Sequence, residues 1–509
     1  ELKQISLCSL RRESNAVIPK SIQDLLWKEI QTDSKNMFEL FWKLQGLRYG
    51  NSSAEHWKLL KTVLEQVIET EQLKSPLIQD IFAIALELLV IPHSNDQEKM
   101  QEAFDLVFSQ SVVFHSLMNS HSFLKICIRL LSYVNKKVVV LSKNAIWQDL
   151  AQNLLSSNHE TRSLSIQMAL KVFALVDEDV PSFLSDICTI ESMPLQISTA
   201  RDLTSRIRSL AVTFSKLVKP SELEKSFMVG YMFGLLTNKF QPSWAGVYEA
   251  LPLIVSNCQS QIWNFGSHFI SLNYTSQLPY TKELVPSFTD EVDEMDVDNV
   301  QTLEQWFPQD SRILGSFNHI DRNVFQKYSS LDSSILEQAE LIYGTVLYEE
   351  NLRNRVLQAF STIPQVAEAH SDVLIPLVLH QLDIEDEEDR AFWNLKDRNA
   401  LVELFTKFKN LKNVYKSDEL KDHLYKLLCN KQSTVQNMAL RVLLNWKDKV
   451  LNKYKDNLLN LLDDTIYRDE LSKFLVTGTD SDIEDADLPH LMPIVLRILF
   501  GRAQSSPKS

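Results

Sequence analysis

The chain has 509 residues, 52 Lys and Arg against 66 Asp and Glu for a net charge of −14, 44% hydrophobic residues, and only 10 Gly, 16 Pro and 5 Cys. That much apolar side chain excludes a disordered chain, that little Gly and Pro excludes fibrous and low-complexity classes, and the length exceeds the roughly 250–300 residues that one core can serve. The Cys are odd in number and far apart, which favours small core thiols in a reducing compartment over a disulfide framework, while the acidic balance speaks against a surface that wraps nucleic acid throughout.

The chain opens on Glu1 with no leader pattern and closes abruptly at 504–509, so it reads as an excerpt of something longer. In chain order, apolar residues recur at steps of three and four: Leu59/Val63/Leu64/Val67, then Leu164/Met168/Leu170/Val172, then Val356/Ala359/Phe360/Ile363. Each is one stripe of an amphipathic helix. The stretch 81–92 is nearly apolar but contains Glu87 and is shorter than the ~20 residues a membrane crossing needs. Towards the C-terminus the pattern is clearest. Helix 419–429, turn 430–432 and helix 433–446 form a hairpin whose second helix carries Val435, Met438, Ala439, Val442, Leu443 and Trp446 on one side, with Ser433 as its expected N-cap. Leu451, Tyr454, Leu458, Leu461 and Leu462 continue the spacing, with Lys453 and Lys455 off the stripe. Period-two alternation is nearly absent, and the chain reads as all-α.

Segments around Pro252, Pro376 and Pro493 share the wording Leu/Ile-Pro or Met-Pro followed by aliphatic residues, at separations near three units of the ~40-residue repeat of HEAT-type solenoids. A proline in a short first helix, an acidic turn such as 383–389 and a straighter second helix make one such unit. Hairpins of this kind bury their apolar faces only by stacking, which predicts an α-solenoid of HEAT/armadillo-like pairs. Two acidic stretches interrupt it. The expected layout is a first solenoid segment over 1–275, an acidic linker over 276–301, a second segment over 302–476, an acidic loop over 477–487 and the start of a further repeat over 488–509. The acidic stretches read as solvated loops; the sharper reading makes Thr479 and Ser481 acceptors for an acid-directed kinase.

Catalytic chemistry finds little support. There is no Gly-rich phosphate cradle with its Lys, no Cys pair at zinc spacing and no His pair one turn apart around a Glu. No metal and no cofactor is expected. Gly230 and Gly234 lie one turn apart and read as a close helix contact. His115, His121, His370, His380 and His423 read as solvated or capping histidines, and Asp422–His423 is no dyad because adjacent helical residues point apart. Cys429 sits among leucines without an evident base.

Charge is uneven. Residues 401–450 hold 10 Lys and Arg against 5 Asp and Glu, and residues 201–250 hold 7 against 4. Lys407, Lys409, Lys412, Lys416, Lys421 and Lys426 cluster with Phe405, Phe408 and Tyr415 interleaved, and Arg201, Arg206 and Arg208 lie close together. Both groups are candidate phosphate contacts; the alternative is a solvated helix face over core aromatics.

The wording of residues 435–447 (Val-Gln-Asn-Met-Ala-Leu-Arg-Val-Leu-Leu-Asn-Trp-Lys), 454–471 and 488–502 (Leu-Pro-His-Leu-Met-Pro-Ile-Val-Leu-Arg-Ile-Leu-Phe-Gly-Arg) resembles the down-regulated-in-metastasis family, the giant HEAT-repeat component of the small-subunit processome. The resemblance implies a nucleolar, non-catalytic scaffold working alongside other processome proteins, pre-ribosomal RNA and a box C/D small nucleolar RNP, and supporting pre-rRNA cleavages made by other factors. No catalytic motif carries over, and Val435, Ala439, Leu443, Trp446, Leu458, Leu461 and Leu462 match structural repeat positions. The acidity of this chain departs from a general RNA binder and confines any RNA contact to a local patch. Two other readings stay open: a HEAT-class nuclear transport receptor, and the helical arm of a giant lipid-kinase-like protein kinase.

Overall fold

A computed structural model of the chain describes residues 18–271 and 351–504, apart from short breaks at 33–36, 49, 51–55, 70–72, 74–75, 110, 135–142, 157, 177–180, 384–394 and 475–482. The described residues hold 23 α-helices, three single-turn 3-10 segments and no strand. They group into two compact units, one with the helices up to Lys239 and one with those from Phe240.

The first unit contains α1 (Lys20–Thr32), α2 (Met37–Leu47), α3 (Trp57–Glu69), α4 (Pro76–Val90), α5 (Gln97–Phe108), α6 (Ser111–Leu117), α7 (His121–Tyr133) and α8 (Lys143–Asn153). It continues with α9 (His159–Val176), α10 (Ser182–Glu191), α11 (Ala200–Ser215) and α12 (Glu222–Leu236). Helix α2 packs on α4, α4 on α7 and α7 on α9. These four begin at 37, 76, 121 and 159, about one HEAT-type repeat apart. The row is held by side chains that reach across to the next unit's backbone. Gln79 Nε2 donates to the Ser116 carbonyl at 2.7 Å, 37 residues away, and Asn153 Nδ2 donates to the Met118 carbonyl at 2.9 Å, 35 residues away. Each buried amide thereby satisfies a carbonyl at a helix end that has no intrahelical partner.

The second unit contains α13 (Gln241–Ser271), α14 (Leu352–Thr362), α15 (Pro364–Ala369), α16 (Ser371–Asp383), α17 (Leu395–Phe405), α18 (Ser417–Leu427) and α19 (Ser433–Leu444). It ends with α20 (Lys449–Lys453), α21 (Lys455–Asn460), α22 (Tyr467–Phe474) and α23 (Leu488–Ala503). Here α13, α14, α17 and α19 pack in succession, and α16 and α18 pack beside them. Arg353 is buried among three of these helices; its Nε donates to the Ile270 carbonyl at 3.0 Å and its Nη1 to Asp397 at 3.4 Å. Within each unit the architecture is the expected all-α stack of hairpins.

The stripes are buried as expected, with local corrections: Leu170 and Met438 are only half-buried, while Leu164, Met168 and Val172 are in the core. Val356, Ala359, Phe360 and Ile363 are all in the core. In α3 it is Leu60 rather than Leu59 that is buried, because Trp57 opens the stripe and Trp57, Leu60, Leu64 and Val67 share one side. Ser433 is the first residue of α19 rather than its cap; Gln432 occupies that position, and the entry is held instead by Asn430 Oδ1 accepting the Gln432 N–H at 2.9 Å. Residues 449–460 form two short helices, since Tyr454 has a non-helical backbone (φ −108°, ψ 21°), yet Leu451, Tyr454, Leu458, Leu461 and Leu462 all remain buried. Helix α13 runs through Pro252 and breaks further on, at Cys258 (φ −126°, ψ 21°).

The glycine pair behaves as read. Helix α12 packs on α8. A Cβ at Gly230 would lie 2.9 Å from the Ala151 carbonyl oxygen, and one at Gly234 would overlap that of Leu154. His423 is buried rather than solvated, because it falls with Leu420, Leu424 and Leu427 on the core side of α18, while Asp422 faces out. His370 stacks on Trp263 with ring centroids 4.1 Å apart. The His380 side chain, the acidic stretch 276–301 and the acidic turn after Asp383 lie outside the described residues, as do Thr479 and Ser481. The end of the second acidic stretch is described: Lys453 bonds Glu484 at 2.6 Å and Asp487 at 2.8 Å, and the Tyr454 hydroxyl accepts the Glu484 N–H at 3.0 Å.

Candidate nucleic-acid interface

The lysine cluster occupies the connection between α17 and α18. Its core anchors come first: Phe405 and Phe408 are buried edge to face at 5.1 Å, and Leu411 and Val414 are buried beneath the loop. These alternate with Lys407, Lys409, Lys412, Tyr415 and Lys416, all exposed. The aromatics thus divide, two in the core and Tyr415, 47% exposed, on the surface.

The loop backbone is tied down along its length. Glu368 of α15 accepts the N–H groups of Lys409 and Asn410 at 3.1 and 2.8 Å, one on each carboxylate oxygen. Asn445 Nδ2 donates to the Thr406 carbonyl at 2.6 Å, Ser417 Oγ to the Leu411 carbonyl at 2.7 Å, and the Tyr415 N–H to Ser371 Oγ at 3.2 Å. These bonds span two neighbouring hairpins, so the lysine stems rise from a fixed platform. They also occupy acid: both Glu368 oxygens face main-chain donors. In the adjoining turn Asp448 Oδ1 caps α20 by accepting from Val450 and Leu451 at 2.9 and 3.3 Å.

Three non-glycine residues have positive φ among the described residues, Lys219 (55°), Lys416 (48°) and Lys447 (55°), and all are lysines. This backbone region disfavours a residue with a Cβ by about 1–2 kcal/mol. Lys447 follows α19, where glycine is the usual occupant, whereas Lys416 stands at the start of α18, a position that Ser, Thr, Asp or Asn usually fills. Their neighbours touch: Trp446 Nε1 donates to Ser417 Oγ at 3.2 Å. The structure therefore adds Lys447 to Lys407, Lys409, Lys412 and Lys416 at one end of two adjacent hairpins. Composition alone did not single it out, and its signal lies in backbone geometry. Lys416 pairs with Glu419 at 2.9 Å, and the hydrogen bond to Glu419 holds its pKa above the usual lysine range. Both groups are exposed, so the pair contributes little and yields readily to another anion.

The remaining candidates are not gathered there. Lys421 is half-buried on α18, and Lys426 sits in its last turn, about 15 Å along the axis from Lys416. There it complements the helix C-terminus. Arg201, Arg206 and Arg208 lie on α11 in the other compact unit. Arg201 and Arg208, seven residues apart, share a side, whereas Arg206 is turned towards Asp202 at 3.0 Å.

No group of three or more His, Cys, Asp or Glu among the described residues could hold a metal, and no helix there is long and apolar enough to cross a membrane. A hollow of about 620 Å³ beside α23 is open and lined mainly by apolar groups, including Leu496 and Phe500.

Residues 392–509, which include the whole lysine platform except its Glu368 and Ser371 anchors, match the family model described as U3 small nucleolar RNA-associated protein 20, N-terminal. The chain resembles that family. Down-regulated-in-metastasis is another name for it, so the wording of 435–502 pointed to the same place. The U3 small nucleolar RNA-associated protein 20 of Saccharomyces cerevisiae is 31% identical over 504 residues, 96% of this chain and 19% of the relative. That of Schizosaccharomyces pombe is 26% identical over 380 residues, 72% of this chain and 14% of the relative. The chain thus spans less than a fifth of the length of the curated relatives it matches. The yeast match covers the N-terminal stack as well, where the wording alone showed only helical-repeat style.

Proposed function

We propose that the chain is a section of a non-catalytic ribosome-assembly scaffold, nucleolar and part of the small-subunit processome, which supports small-subunit rRNA maturation by holding proteins and RNA at fixed separations. The single observation that carries this is the similarity, along nearly the whole chain, to a relative named for association with the U3 small nucleolar RNA. Stacked hairpins tied by buried side chain to backbone bonds suit a positional role, since stiffness comes from each unit's contact with the next. Relatives named for a small nucleolar RNA favour this reading over a transport receptor or a kinase arm. The box C/D particle that carries U3, pre-ribosomal RNA and other processome proteins are its proposed partners.

The proposed RNA contact of this scaffold is the loop bearing Lys407, Lys409, Lys412 and Lys416, with the α11 arginines as a second, separate patch. Changing the four lysines to Glu is expected to weaken binding to structured pre-rRNA and to flatten its salt dependence. Unchanged crosslinking of that variant to RNA removes the loop from the account.

A further inference from the structure

We propose that Lys416, Lys447 and Tyr415 form a composite site for single-stranded RNA, built across the ends of two successive hairpins, in which the two left-handed lysines hold phosphates and Tyr415 stacks a base. It rests on the scaffold reading for the nature of the ligand and goes beyond it in naming the residues and the form of RNA.

Four observations converge. Lys416 and Lys447 both occupy a conformation that glycine or asparagine adopts with less strain, so what the lysine adds at each is its ammonium. The two turns are joined through Trp446 and Ser417 and through Asn445 and the Thr406 carbonyl, which fixes their spacing. Glu368 and Asp448 accept loop backbone N–H groups, Glu419 pairs with Lys416 at the open surface, where the contact yields to a phosphate, and Lys447, Lys407, Lys409 and Lys412 make no ion pair among the described residues. Tyr415 stands exposed beside Lys416 with its backbone anchored on Ser371. An aromatic face flanked by fixed cations is the arrangement that takes unpaired nucleotides, whose bases are free to stack. A duplex keeps its bases stacked and would engage the lysines alone.

The test uses glycine, which removes the ammonium and relieves the backbone at once. Binding of the whole chain to a single-stranded oligouridylate and to a blunt RNA duplex is measured over a range of salt. Relative to wild type, Lys416→Gly/Lys447→Gly is expected to keep or raise Tm and to make the log K against log salt slope for oligouridylate shallower by about 1.4, at ~0.7 per lost phosphate. Tyr415→Ala is expected to weaken the single strand about tenfold and to leave the duplex unchanged. An unchanged slope in the folded double variant overturns the proposal. So does a clear fall in Tm, which would make the lysines structural, or an equal effect of Tyr415→Ala on duplex. Co-purification of U3 RNA with the wild-type protein tests the scaffold reading separately. RNA binding without U3 sinks that reading alone, and U3 association with no affinity for oligouridylate sinks this proposal alone.

Discussion

Arg162 is fully buried in α9, and its guanidinium is satisfied on three sides: Nε on Glu191 at 3.1 Å, Nη1 on the Ser156 carbonyl at 2.7 Å and Nη2 on Asn238 at 3.0 Å. His159 closes the other Glu191 oxygen at 2.5 Å. Burial alone would push the Glu191 carboxyl up, but the Arg162 charge and the His159 contact outweigh it and hold the carboxyl below its ordinary 4.5. A depressed carboxylate contributes stability that is complete above the unfolded value, near pH 4.5, and is lost as pH falls through the lower folded value. Glu191→Gln, which leaves Arg162 without its counter-charge, is therefore expected to destabilise the first unit by on the order of 3 kcal/mol at neutral pH. It should also flatten the acid limb of a Tm against pH curve, and an acid limb identical to wild type would contradict this. None of this was legible beforehand. Arginine in an amphipathic run reads as surface, and its burial depends on partners that lie 29 and 76 residues away in sequence.

At the scale of the element, the apolar period carried the reading well. Helical stripes were correct in the main, with Leu59, Leu170 and Met438 the exceptions, because burial of one face is what stabilises such helices. The errors sit at ends and breaks: the cap of α19, the division at Tyr454, the position of the bend in α13. Such features depend on single hydrogen bonds made after packing. The glycine pair was legible because two small residues one turn apart have few other uses. The overlap of a Cβ at Gly234 with the Leu154 backbone makes a quantitative prediction. Gly234→Ala gains helix propensity of up to about 1 kcal/mol but forces α12 off α8. The net effect is expected to lower Tm of the first unit by roughly 5 °C, read by thermal unfolding. An unchanged or higher Tm would mean that the two helices are free to move apart. The lysine loop was half legible. Its cations were visible as a cluster on a balanced background, whereas the acids tied to main-chain donors and the contribution of Lys447 follow only from the turns that place them together.

For the whole molecule, the net charge of −14 turns out to be a poor guide to any one surface. Acids that cap helices or receive loop N–H groups are held at set positions in these turns, and over residues 401–450 they are outnumbered, 5 Asp and Glu against 10 Lys and Arg, while the lysines of the same turns extend into solvent. An acidic chain can in this way carry a local cationic face. The central claim is that this chain works within a small-subunit precursor, touching RNA locally and proteins elsewhere. Crosslinking of protein to RNA in living cells, with the adducts mapped to residues and the attached RNA sequenced, tests it most directly. The account predicts adducts confined to 407–416, Lys447 and the α11 arginines, attached to U3 or pre-ribosomal RNA sequences. Adducts spread evenly over both compact units, or an absence of U3 and pre-ribosomal sequences among them, would contradict it.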